Sequence, residues 1–204
     1  MLIKTLPVGQ LETNCYVVTD EDSLDCAVID PGDESGTILD YQEDSKLHCR
    51  AVLLTHAHFD HVGAANALLE ATGARLYMCE KELELVKGGA PGRFTVPEDV
   101  KYYRDGDTVE VGGLRFEVME TPGHTPGGVT LRCGEALFTG DTLFRGSCGR
   151  TDFAGGDMRQ ELRSLKRIAE LPGDYEVYPG HAESSMLSIE REHNPYVRHA
   201  LEKM

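Results

Sequence analysis

No apolar run in this 204-residue chain approaches the roughly 18 residues needed to cross a bilayer; Ala51-Val52-Leu53-Leu54 is typical of the longest. The opening Met1-Leu2-Ile3-Lys4-Thr5-Leu6-Pro7 carries one positive charge and no long apolar segment. It therefore lacks the form of a secretory signal, and a cytoplasmic chain is expected. Basic residues are scarce, 20 against 35 acidic ones, for a net charge of −15. Such a surface repels phosphate backbones and anionic lipid, which excludes nucleic acid and membranes as natural partners. A small anion held by a local basic cluster stays open. None of the six cysteines forms a Cys-x-x-Cys pair, so reduced thiols are expected rather than a disulfide framework. Low-complexity tracts, linkers and short-period repeats are missing too, and one globular domain over residues 1–204 is the simplest organisation.

What is present has the composition of a packed protein, 40% hydrophobic and 27% charged. Strand-type segments occur at 2–6, 14–19, 26–29, 51–55 and 75–78. Helices are expected after Asp33-Glu34-Ser35, carrying Ile38, Leu39 and Gln42, then over 62–72 and 80–87, before a break at Gly88–Gly92. The second half repeats this grammar. Residues 108–111 and 114–119 flank Gly112-Gly113 as a hairpin, and 129–132 with 136–139 form another. A helix from Asp157 places Met158, Leu162, Leu165 and Ala169 on one face. A strand at 176–178 and helices over 184–192 and 195–202 follow. Strands in groups with helices between them predict an α/β or α+β layered fold.

Five of the eight histidines fall in three short segments, Thr55-His56-Ala57-His58-Phe59-Asp60-His61, Pro122-Gly123-His124-Thr125-Pro126-Gly127 and Tyr178-Pro179-Gly180-His181. At the end of an extended strand, residues two apart point the same way, so His56 and His58 can meet one cation. Asp60 and His61 lie where the chain turns into a helix and project differently, toward a second. Asp141, in Phe138-Thr139-Gly140-Asp141-Thr142, also follows an apolar strand. These donors sort into His56, His58 and His124 on one metal, Asp60, His61 and His181 on the other, and Asp141 as a bridge. Imidazoles and carboxylates suit two divalent ions, zinc first, with iron or manganese accepted by the same set. Metals so held lower the pKa of bound water to about 7 and polarise a carbonyl oxygen.

Other residues admit two readings. Asp30 either forms a turn or supports a ligand histidine from behind. In Arg145-Gly146-Ser147-Cys148-Gly149-Arg150-Thr151-Asp152-Phe153, the arginines either hold a substrate carboxylate or, for Arg150, pair with Asp152. Cys148 is a small loop residue or a redox thiol. The isolated His48, His193 and His199 are expected at the surface.

The His56–His61 segment, with Thr121–Gly127, Thr139–Thr142 and Pro179–His181, resembles the metallo-β-lactamase superfamily. Gly149-Arg150-Thr151-Asp152-Phe153 and Asn194-Pro195-Tyr196 are similar to the single-domain relatives of glyoxalase II (hydroxyacylglutathione hydrolase). The resemblance spans about residues 9–196. It implies an αβ/βα sandwich of two mixed sheets flanked by helices, with a dinuclear site at one edge. It further implies hydrolysis of S-lactoylglutathione or a related small acyl thioester by a metal-bridging hydroxide, which Asp60 would help to orient. The helical C-terminal domain that binds glutathione in glyoxalase II is not expected here. Persulfide dioxygenases share the Gly-Arg-Thr-Asp-Phe element and the preceding cysteine; that alternative uses one iron on His56, His124 and Asp141.

Overall fold

Two six-stranded sheets pack face to face, with helices on the outer side of each. The computed structural model describes residues 1–88 and 94–204, so the break expected at Gly88–Gly92 lies, beyond Gly88, outside the described residues. The first sheet runs in chain order: β1 (Leu2–Val8), β2 (Thr13–Thr19), β3 (Asp25–Ile29), β4 (His48–Leu53), β5 (Arg75–Met78) and β6 (Lys101–Tyr102). Its first three strands are antiparallel and the rest parallel. The second sheet contains β7 (Thr108–Val111), β8 (Leu114–Glu120), β9 (Val129–Cys133), β10 (Ala136–Gly140), β13 (Glu176–Pro179) and β14 (Ser185–Met186), ordered β14-β13-β10-β9-β8-β7. A small hairpin, β11 (Leu143–Phe144) and β12 (Ser147–Cys148), follows β10 near the site.

Burial on both faces explains the continuous apolar character of the central strands. All seven residues of β2 are buried. Alternate side chains diverge: Tyr16, Val18, Ala27, Ile29 and Leu53 face the second sheet, where Phe116, Leu131 and Phe138 meet them. Val17, Val28 and Val52 face the helices α1 (Ser35–Asp44) and α3 (Ala65–Thr72), and Leu83 and Val86 of α4 (Leu83–Gly88) pack against the same layer. Leu137 and Val177 of the second sheet pack against α5 (Met158–Ala169), α6 (Leu187–His193) and α7 (Pro195–Lys203). Burying each large side chain contributes about 1.5–3 kcal/mol, so the intersheet layer is a rigid base for whatever stands on its edge. The four layers are those of the expected αβ/βα sandwich. All six cysteines are free. Among the described residues, no helix is long and apolar enough to cross a membrane.

Four local details differ from expectation. The helix expected over 62–72 is divided into α2 (Phe59–Val62) and α3 at Gly63-Ala64. There the Ala64 amide donates to the Pro31 carbonyl, and a Cβ on Gly63 would stand 2.3 Å from the Gly32 oxygen. The kink is thus fixed by the loop after β3, a long-range contact that periodicity does not register. In α5 the buried stripe is Glu161, Ser164, Leu165, Ile168 and Ala169, and Met158 is exposed. The stretch expected as a helix over 184–192 begins instead as β14, pairing with β13, before α6 starts. The short strands β6, β11 and β12 gave no alternation long enough to read.

Candidate metal centre

Every chemistry-bearing segment leaves the end of a strand. His56 and His58 follow β4, His124 follows β8, Asp141 follows β10 and His181 follows β13. Asp60 and His61 sit in α2, the single turn entered from His58. The sheets therefore gather these seven side chains at one edge of the sandwich. Two sets of three have donor atoms within 4.8 Å of one another: His56, His58 and His124, and Asp60, His61 and His181. Asp141 stands between the sets. Its Oδ2 lies 3.4 Å from His124 Nε2 and 3.7 Å from His181 Nε2, and its Oδ1 lies 3.4 Å from His61 Nε2.

Backbone and acidic groups hold the rings from behind. His124 Nδ1 donates to the Arg150 carbonyl at 2.7 Å, and His181 Nδ1 to the Leu11 carbonyl at 3.1 Å. Each contact leaves Nε2 as the inward-facing atom. His61 is gripped by two aspartates delivered by the two sheets, Asp30 Oδ2 at 3.0 Å from Nδ1 and Asp141 on the Nε2 side. Asp30 also accepts the Thr55 amide at 2.7 Å and the Thr55 hydroxyl at 2.6 Å. A third triple, Asp30, His56 and His61, is equally close, but Asp30 is already saturated by these donors. It acts as the support of His61, the second of its two sequence readings.

The donor set fits a pair of cations. His56 Nε2, His61 Nε2 and Asp141 Oδ1 are buried atoms with no hydrogen-bond partner, and leaving such atoms bare is costly unless something else coordinates them. Electrostatics agree for the first triple. Burial and neighbouring imidazoles depress His56 and His58, the latter to about 4, and burial lowers His124. These three are therefore neutral, as a metal ligand must be. Burial opposes charge on His61, but Asp141 and Asp30 outweigh it and lift its pKa well above the ordinary value. Burial likewise opposes charge on Asp60, yet the hydrogen bond with His181 and nearby His61 hold its carboxyl well below the usual range. In Asp141, too, His61 and His124 overcome the cost of burial and keep the carboxylate charged.

Three residues that sequence reasoning missed complete the frame. Thr13 Oγ1 donates to Asp60 Oδ2 at 3.2 Å. Glu82 accepts the Ala57 amide at 2.8 Å and the Gly127 amide at 2.7 Å, tying the His56–His58 segment to the His124 loop. Glu161 accepts the His124 amide at 2.9 Å, and burial pushes its carboxyl up to about 9. An acid on the buried stripe of a helix was the one available signal, for Glu161; nothing nearby in sequence marks Thr13 or Glu82.

The remaining expectations divide. Arg150 borders the site, but its guanidinium is paired with Asp152 at 2.7 and 2.8 Å and lies 3.9 Å over the Phe153 ring. Arg145 pairs with Glu183 and does not line the cavity above the metal centre. The Cys148 thiol is pushed up to about 12 by burial and by Glu161, which favours a packing role. His48, His193 and His199 are exposed. In front of the donors opens a cavity of about 1000 Å³, reaching His58, Asp60, His124, Asp141 and His181.

Comparison with known proteins agrees with this fold. Residues 8–181 match the family described as the metallo-beta-lactamase superfamily. An uncharacterised protein of Aquifex aeolicus is 39% identical over 96% of this chain and 97% of its own. Hydroxyacylglutathione hydrolase GloC of Haemophilus influenzae is 32% identical over 97% and 98%. Among solved structures, BLEG-1 B3 metallo-beta-lactamase superimposes with a TM-score of 0.87 at 32% identity, covering 96% of this chain and 99% of that one. TTHA1623 in a di-iron-bound form gives 0.83 at 36% identity over 95% and 99%. ETHE1 from Myxococcus xanthus gives 0.82 at 32% identity over 100% and 91%. With this fold, this constellation at the strand ends and this matched span, the chain belongs to the metallo-β-lactamase superfamily.

Proposed function

We propose that this protein is a dinuclear metal-dependent hydrolase of small acyl thioesters, of the glyoxalase II type. One observation carries the reading: two convergent triples of donors flank a shared carboxylate, with buried Nε2 atoms of both His56 and His61 left bare. His56, His58 and His124 would hold one ion, Asp60, His61 and His181 the second, and Asp141 both. Two divalent cations bound there supply an acidified water and polarise a carbonyl oxygen. Zinc suits the imidazole–carboxylate set, and the di-iron form of TTHA1623 supports iron as an occupant of the same arrangement. The name of the Haemophilus influenzae relative supports a thioester as substrate.

The chain's own groups have definite tasks in such a reaction. Asp60, kept ionised and held by Thr13 and His181, accepts a hydrogen bond from the attacking water and sets its direction. Glu82 and Glu161 fix the backbone of the ligand loops, so the donors need no reorganisation as charge develops. The net step is hydrolysis: the acyl carbon loses its bond to sulfur and gains one to water oxygen. One proton stays with the acid product or solvent, and the sulfur departs as a thiol. The alternative, a one-iron persulfide dioxygenase on His56, His124 and Asp141, leaves the convergent second triple without a task. Metal analysis with a paired assay separates the two. Two ions per chain, and thioester turnover abolished by chelation and restored by zinc, are expected. One iron per chain with oxygen uptake on glutathione persulfide would overturn the hydrolase reading.

A further inference from the structure

The cavity above the donors is walled by apolar side chains that the chemistry just described does not use. Leu11, Phe59, Leu85, Phe144 and Phe153 line it. Phe153 stands edge-on to His58 at 5.9 Å, and Phe144 edge-on to His181 at 6.3 Å. An aromatic wall therefore flanks each donor triple. Leu11, Phe59 and Phe153 are 54%, 50% and 49% exposed, so three of the large hydrophobic side chains at the molecular surface converge on this one opening. Exposed apolar surface gathered at a concave site marks a place where an apolar group is buried.

Charge points the same way. Apart from the metal-centre donors, the charged residues lining the cavity among those described are Arg150 and Glu84. Arg150 is already neutralised by the bidentate contact with Asp152, and its guanidinium plane is spent on Phe153. Glu84 is paired with Lys87. A glutathione thioester presents two carboxylates and one ammonium, and among the described lining residues the one cation, Arg150, already holds a carboxylate. The overall charge of −15 also disfavours approach of an anion. A volume of about 1000 Å³ admits either kind of molecule, so the lining decides.

We propose that this cavity is the subsite for an apolar acyl group, and that the substrate is a thioester joining a medium-length alkyl or aromatic acyl chain to a thiol without net negative charge. The proposal rests on the thioesterase reading and deepens it. Arg150 is then a positioning residue, which holds Phe153 against His58 instead of meeting a substrate carboxylate.

The test is an acyl series on one neutral thiol, N-acetylcysteamine, assayed with zinc-loaded protein beside S-lactoylglutathione. From acetyl to hexanoyl, kcat/KM rises about tenfold or more, because each buried methylene adds to binding, and the hexanoyl compound exceeds S-lactoylglutathione. A flat or falling series, or preference for S-lactoylglutathione, overturns the subsite. Absence of turnover on every thioester overturns the thioesterase reading instead, and calorimetry then decides the subsite separately. S-hexyl-N-acetylcysteamine, a thioether that cannot be hydrolysed, binds at least about tenfold tighter than its S-methyl analogue. Leu11→Ser and Phe153→Ser, changes at exposed positions, each shrink that ratio several-fold. Equal binding of the two thioethers to the unaltered protein overturns the proposal.

Discussion

Gly180 presses its backbone against Asp141: a Cβ at position 180 would fall 2.2 Å from Asp141 Oδ1 and 2.7 Å from His61 Cε1. The same residue donates its amide to the Gly140 carbonyl at 2.8 Å, so the strand ends cannot part to admit a methyl group. Gly180→Ala is expected to fold, to displace the bridging carboxylate, and to lose more than half of the bound metal. Metal content after gel filtration, read beside an unchanged far-ultraviolet dichroism spectrum, checks this.

Asp30 carries three hydrogen bonds within the protein and orients His61. Asp30→Asn keeps the shape but removes the charge that fixes the Nδ1 proton. Metal affinity should fall about 10–100-fold, the usual effect of losing a carboxylate behind a ligand histidine. Competition against a chromophoric chelator measures it. An affinity equal to that of the unaltered protein would reduce Asp30 to a turn residue.

Asn194 joins three elements. Its side-chain oxygen caps α7 through the amides of Tyr196 and Val197, while Nδ2 donates to the carbonyls of Phe144 and Ser147 on the β11–β12 hairpin. Losing the cap costs about 1 kcal/mol, and the partly buried carbonyls left bare add about 1–3 kcal/mol. Asn194→Ala should therefore lower the melting midpoint by about 5–12 °C. Because the hairpin also carries Phe144, KM for an apolar thioester should rise more than kcat falls.

Cys148 sits beside the cavity with its thiol pushed up to about 12. The thiolate fraction at pH 8 is correspondingly small. Alkylation by iodoacetamide at that pH should run about 100-fold slower than for free cysteine, followed by mass spectrometry of the 145–153 peptide. Rapid, selective modification would instead mark it as a reactive thiol.

Local chemistry made much of this protein legible in its sequence. The apolar runs of β2, β3 and β4, the Gly112-Gly113 hairpin and the Asp157 cap each depend on neighbours in the chain. The His56–His61 spacing is local in the same sense, because strand and turn geometry alone decide that His56 and His58 share a direction and His61 does not. His124, Asp141 and His181 were readable because each follows an apolar strand, and parallel packing brings such ends together. Both readings of Asp30 are visible in Ile29-Asp30-Pro31-Gly32, and only the fold chooses between them by bringing His61 to its carboxylate.

Tertiary structure decided the rest, chiefly where a partner lies far away in sequence. Gly63 ends α2 because the Gly32 carbonyl is there, and no helix periodicity carries that fact. Glu82 and Glu161 stabilise loops 25 to 45 residues distant, and an isolated acid on a helix looks alike whether it meets water or an orphaned amide. Of the two readings of Arg150, the fold takes the pair with Asp152, two residues on. The turn that points both side chains at each other and lays the guanidinium over Phe153 is set by the surrounding fold. Sequence supplied the donors and their order. Closure of two sheets against each other supplied the distances, the desolvation that keeps His56, His58 and His124 neutral, and the apolar walls that frame them.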